Sequence, residues 1–130
     1  MTRTRKRLAL ICAVVVAIVS GVMTAFPPYR SYTPDAIVHS VIAEAIIPAF
    51  PADARPDVEW EDGARRLWQS HPAEVRFYGI EEAVVQNRIL ESVRQHLAKS
   101  NLSSIAVCFF PKGRTSTHPV EEIRYVLIQK

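Results

Sequence analysis

Cysteine is scarce. The 130 residues hold two, and one of them, Cys12, lies inside an N-terminal apolar run. That excludes a disulfide-stapled scaffold and a cysteine-rich zinc module. The four glycines form no phosphate-cradling loop, and H-E-x-x-H, G-x-S-x-G and C-x-x-C are all missing. The short motifs of nucleotide binding, zinc proteolysis, serine hydrolysis and thiol redox chemistry are therefore lacking. Positive charge is thin where the total suggests it is ample. The chain has 16 Lys and Arg against 13 Asp and Glu, but Arg3, Arg5, Lys6 and Arg7 supply four positives before residue 8. Without those four the rest carries 12 positives against 13 negatives. A near-neutral body is a poor nucleic-acid binder, because phosphate affinity comes from neutralising many charges on one face. Disorder is excluded as well, by 48% hydrophobic and 22% charged residues.

Charge is absent altogether between Arg7 and Arg30. Residues 8–26 are 19 uncharged, mostly apolar positions. As a helix they would span about 28 Å, close to the ~30 Å hydrocarbon core of a bilayer. Val14, Val15, Val16, Ile18 and Val19 favour a strand in water, but in lipid the backbone must satisfy itself and helix wins. Pro27-Pro28 would end such a helix, and Phe26, Tyr29 and Tyr32 would follow at headgroup depth. The expected organisation is a basic tail over 1–7, a transmembrane signal anchor over 8–26, a spacer over 27–34 and a small α+β domain over 35–130. A cleaved signal peptide competes, with Val19-Ser20-Gly21 as a tolerable cleavage tripeptide, but the run exceeds the ~7–15 residues of such a core. Arg3, Arg5, Lys6 and Arg7 are the topology determinants. They hold the N-terminus in the cytoplasm and put the domain outside it, periplasmic or extracellular in a bacterial host. Ala9, Ala13, Ala17, Gly21 and Ala25 recur every fourth residue. Such a small-residue ridge is the packing surface of helix pairs in membranes, which makes this helix, if it is kept as an anchor, a candidate homodimer seam.

Beyond the spacer, Thr33, Pro34 and Asp35 read as a helix start, with a hydroxyl cap, proline in the first turn and an acid after it. The helix should run to about Ile47 and pack on its own domain through Ile37, Val38, Val41, Ile42, Ala45 and Ile46. Residues 48–57 are proline-rich and irregular. Trp60, Ala64, Leu67 and Trp68 fall at helical spacing, which predicts a short helix over 58–70, weakened at Gly63. Val75 and Phe77 alternate with Arg76 and Tyr78, a strand. Residues 81–99 form the clearest amphipathic helix, with Ala83, Val85, Ile89, Leu90, Val93 and Leu97 on one arc and Asn101 as its stop. Residues 103–110 read as a strand covered on both faces. After a polar loop over 111–119 a last strand runs over 120–129. The order is helix–helix–strand–helix–strand–strand, an α+β domain with a parallel crossover over its first two strands.

Candidate chemistry is weak. His39, His71, His96 and His118 fall on four elements with no ligand spacing, so no metal and no cofactor are expected. Cys108 with His118 is the one nucleophile–base pair worth naming, and a thiol in so apolar a strand is inert. Glu81-Glu82 and Glu121-Glu122 are solvated acids. Lys112, Arg114, Thr115, Ser116 and Thr117 read as a wet hairpin tip before they read as a phosphate site. The leading expectation is a single-pass membrane-anchored domain that acts by binding, with an envelope protein as its partner and no nucleic acid. A secreted small-ligand binder with a cleaved signal ranks second, and a small enzyme third.

Overall fold

The computed structural model describes residues 2–25, 29–66 and 69–130. The chain divides into two compact units, one of residues 1–30 with 65–70, the other of residues 31–64 with 71–130. The elements in order are α1 (Arg3–Ala25), β1 (Tyr29–Tyr32), α2 (Asp35–Val41) continued by a π-helical turn (Ile42–Ile46), β2 (Asp57–Glu61), β3 (Gly63–Arg66), β4 (Ser70–His71), β5 (Ala73–Tyr78), α3 (Ala83–Ala98), β6 (Ser104–Phe110), a 3-10 turn (Val120–Glu122) and β7 (Arg124–Gln129). The fold is α+β. Four strands form a sheet in the order β2–β5–β6–β7, and the short strands form another in the order β1–β3–β4.

In the second unit the alternation of β5 sets the layers. Ala73, Val75 and Phe77 are buried while Glu74, Arg76 and Tyr78 are half-buried. The parallel register with β6 puts Val75 beside Val107 and Phe77 beside Phe109, with α3 as the crossover. The antiparallel register with β7 puts Ile105 beside Ile128. One sheet face thus presents Val75, Phe77, Ile105, Val107, Phe109 and Ile128 to a core completed by Ile37, Val38, Val41 and Ile46 and by Ile89, Leu90, Val93 and Leu97 of α3. Gln86 and Ser92 are buried on α3 beside these residues, Ala83 is exposed, and Val85 is half-buried. Ser100 stops α3, its hydroxyl donating to the Leu97 carbonyl at 2.8 Å and accepting the Leu102 N–H at 3.2 Å.

The sequence expectation for residues 58–70 is corrected. The helix over 58–70 is absent: residues 57–61 are β2, paired antiparallel to β5 with Val58 opposite Phe77 and Trp60 opposite Val75. In D-V-E-W-E the apolar residues alternate with acids, and that period of two wins over the helical spacing of the tryptophans. Trp60 half-buries its ring against the core, sends its indole N–H to Asp35 at 2.8 Å and meets His39 edge-on at 5.6 Å. Leu67 and Trp68 lie outside the described residues. β6 is buried on both faces, as its apolar run predicts, residues 105–109 being buried throughout, and the core with the helices lies against one of them. The other face carries Ala106, Cys108 and Phe110 beneath charged and aromatic neighbours from β5 and β7.

In the first unit α1 is a helix of 23 residues. Among the described residues no helix is long and apolar enough to cross a membrane. The side chains of α1 are described through Val22. Phe26, the last residue of the expected span, lies outside the described residues.

Candidate functional site

Strand pleating sends alternate side chains of β2, β5, β6 and β7 away from the helices. This open face is built in rows. Glu61, Glu74, Ala106 and Leu127 are register neighbours, as are Glu59, Arg76, Cys108 and Tyr125, and Tyr78 lies beside Phe110. Arg76 organises the acids. Its guanidinium reaches Glu74 at 2.7 Å and Glu61 at 3.0 Å. Partial burial works against its charge, and the two carboxylates more than offset that, holding it firmly protonated. Tyr78 stacks on Phe110 at 4.8 Å and donates its hydroxyl to Glu59 at 3.2 Å. Burial and the Glu59 carboxylate push that phenol above its ordinary range. A shallow cavity of about 210 Å³ opens on the face among Glu61, Asp62, His71, Glu74, Ala106 and Tyr125. Among the described residues no group of His, Cys, Asp and Glu could hold a metal ion.

Cys108 is buried between these rows, and its thiol donates to Glu74 at 3.1 Å. Burial and that carboxylate push the thiol up to about 12. Burial also acts to raise the Glu74 carboxyl, but the Cys108 S–H and Arg76 outweigh it and hold Glu74 below its ordinary value. The nucleophile is the thiolate, so at neutral pH this sulfur is a protonated donor. His118 does not reach it as a base. Its Nε2 accepts the Lys112 backbone N–H at 3.0 Å and its ring meets Phe110 edge-on at 5.3 Å.

In a Cys12→Ser background, Cys108 should therefore resist iodoacetamide until the body unfolds, and Cys108→Ala should cost little, one small hydrophobe replacing another. The linkage has a definite sign. A folded-state value raised to about 12 gives stability that is complete below the ordinary thiol range and is lost as pH rises toward 12. Urea midpoints of the Cys108-bearing chain should fall over that alkaline window, and those of Cys108→Ala should fall less. Rapid labelling of the folded chain at pH 7 would contradict the assignment.

The remaining candidates separate. His39 sits against Trp60, and His71 at the cavity. Lys112 pairs with Glu122 at 3.7 Å and Arg114 with Glu59 at 3.1 Å, so both loop cations already have carboxylate partners. Sequence reasoning missed one cluster. Glu44, on the π-helical turn, accepts from His96 Nε2 at 2.8 Å and from the Ser92 hydroxyl at 3.3 Å. These bonds hold its carboxyl below the ordinary range, the His96 bond first. Serine, histidine and carboxylate are the residues of a relay, but here both donors address the same carboxylate oxygen. The acid stands where a relay needs the imidazole, so the cluster is a clamp between the turn and α3. Only the i, i+4 spacing of Ser92 and His96 hinted at it.

On α1, Arg3, Arg5, Lys6 and Arg7 are exposed in its first turns, and Ala9, Ala13, Ala17 and Gly21 are exposed along it. A Cβ at Gly21 would meet nothing within 4 Å. The side chain of Ala25 lies outside those described. Compared with protein-family models, curated proteins and solved structures, the chain matches none, so its role is read from its own side chains.

Proposed function

We propose that the chain is a single-pass membrane-anchored domain that acts by binding an envelope protein, with its N-terminus in the cytoplasm and its α+β domain outside. One observation carries this reading: every described side chain of α1 is exposed. Leu8, Leu10, Ile11, Val14, Val15, Val16, Ile18, Val19 and Val22 are 47–66% exposed. Covering nine such side chains is worth on the order of 10 kcal/mol. Apolar side chains exposed along the length of a helix are the surface that such a helix turns to lipid. The helix itself continues to Ala25, so its uncharged part is 18 residues, about 27 Å long. The basic residues cluster at one end of it, which orients the segment. Self-association along Ala9, Ala13, Ala17, Gly21 and Ala25 belongs to the same proposal, because small residues let two backbones approach in lipid.

The binding face is the open side of the sheet, acidic along β2 and apolar along β7. Its Glu74 carboxyl is held below its ordinary value and its thiol protonated, which suits contact and recognition more than acid–base turnover. The test is topological. A reporter active only outside the cytoplasm, fused after Lys130, should be active. Neutralising Arg3, Arg5, Lys6 and Arg7 together should scramble the orientation and lower that signal several-fold. An inactive fusion with intact expression would overturn the reading.

A further inference from the structure

The four-stranded sheet ends in two edges, β2 and β7. Charge separates them. β2 carries Asp57, Glu59 and Glu61, and a second β2 laid against it would set carboxylates against carboxylates. Such charges are a recognised guard against edge pairing. β7, R-Y-V-L-I-Q, has no acid, no proline and no glycine. Its one charge, Arg124, is occupied by Gln86 at 3.1 Å and Asn87 at 3.2 Å. Within β7 the one charged guard is Arg124 at its start, and the rest of its composition is that of a strand that pairs.

The bonding pattern fixes how it would pair. The Lys130 N–H donates to the Ser103 carbonyl at 3.0 Å, one step beyond the pair Gln129–Ser104. In an antiparallel ladder the bonded positions alternate. Ile128, Val126 and Arg124 therefore turn their backbone groups toward β6, and Tyr125, Leu127 and Gln129 turn theirs outward. The same three residues carry their side chains on the open face. A partner strand must put open-face residues opposite open-face residues, because a slip of one residue would send core side chains into water.

We infer that the outer edge of β7 pairs antiparallel with β7 of a second copy, centred on Leu127, to make one continuous eight-stranded sheet. Leu127 then faces Leu127, and Tyr125 faces Gln129 on either side. All three outward positions are bonded, and the interface is two-fold symmetric and closed. Leu127 and Tyr125, 44% and 58% exposed, gain cover on the open face. Arg124 falls opposite Lys130 at each end, an adverse pair repeated by the symmetry, and each of these side chains is already held within its own copy, Lys130 by the Ser100 carbonyl. A single paired edge covers roughly half of the ~1,200 Å² that a stable free dimer needs. Free copies pair weakly, and copies held in one bilayer pair well, since tethering raises the effective concentration toward the mM range. That last step rests on the anchor reading; the register does not.

The test uses the full chain with Cys12→Ser and Cys108→Ala in phosphatidylcholine vesicles, carrying Leu127→Cys, Val126→Cys or Val120→Cys, under copper-phenanthroline oxidation. Leu127→Cys should form a disulfide dimer at least about tenfold faster than the other two, because only that pair brings the Cα atoms within bridging range. Leu127→Pro removes an outward N–H and spares the bonds to β6, so it should leave tryptophan fluorescence native and cut energy transfer between labelled copies about tenfold. Flotation of the same vesicles separates the two readings. A chain that fails to float overturns the anchor, and cross-linking is then scored in concentrated solution, where Leu127→Cys should still lead. Equal cross-linking at 120, 126 and 127, none at 127, or undiminished transfer in Leu127→Pro would overturn the β7 interface.

Discussion

Phe109→Ala should cost the body about 3–5 kcal/mol, most of the margin that a small domain possesses. Phe109 is fully buried near the C-terminal end of β6. It stacks on Phe77 at 5.5 Å, and the Arg124 guanidinium lies 6.0 Å from its ring centroid. Truncation removes the ring from water-free packing and leaves a void between β5, β7 and the helices that close-packed neighbours cannot fill. It also strips the ring from under Arg124, which then keeps only Gln86 and Asn87 as anchors to α3. Urea unfolding followed by tryptophan fluorescence should show the midpoint collapse with little change in slope. Cys108→Ala, one residue away on the opposite face, should shift the midpoint far less. A small effect at Phe109 would mean that the core is not where the sheet and helices meet.

Gly63→Ala should destabilise by about 3 kcal/mol, although it adds one methyl and improves both helix and strand propensity. A Cβ at Gly63 would lie 2.6 Å from the Ala73 backbone nitrogen and 3.1 Å from the His71 carbonyl oxygen. The nitrogen opens β5 and the carbonyl closes β4, and backbone cannot rotate aside as a side chain can. The substitution must push β3 away from the entry to β5. Gly113→Ala is the control, because a Cβ there meets nothing within 4 Å. Midpoints should fall for the first and stay within error for the second. Equal effects would show that Gly63 serves chain freedom and not close approach.

Gly63 also shows how far sequence reasoning reaches. As a residue at helical spacing between Trp60 and Trp68 it looked like a weak point in a helix. Its real constraint is a contact with residues 71–73, which no local pattern encodes. Elements whose own period matches their burial were legible: β5 by alternation, α3 by its apolar arc, β6 by its run of apolar residues. β2 was misread because two periods coexist in D-V-E-W-E and its neighbours, and pairing with β5 decided between them. The candidate site was legible in part. Arg76 and Tyr78 stood out as the outward residues of β5, and Cys108 as a buried thiol. That Glu74, 34 residues away in sequence, accepts its hydrogen bond was not legible, nor was the Glu44–His96 clamp at a separation of 52. Such pairs exist only once α3 has carried the chain back across the sheet.

The central claim is that α1 lies in lipid, and alkaline carbonate extraction of membranes from cells expressing the chain tests it most directly. Peripheral and soluble proteins are released, and a spanning helix is held by its apolar surface. The proposed anchor predicts that the chain stays in the membrane pellet at its full 14.6 kDa. Release of the full-length chain would contradict membrane insertion, and release of a product shortened by the N-terminal segment would show a cleaved export signal in place of an anchor.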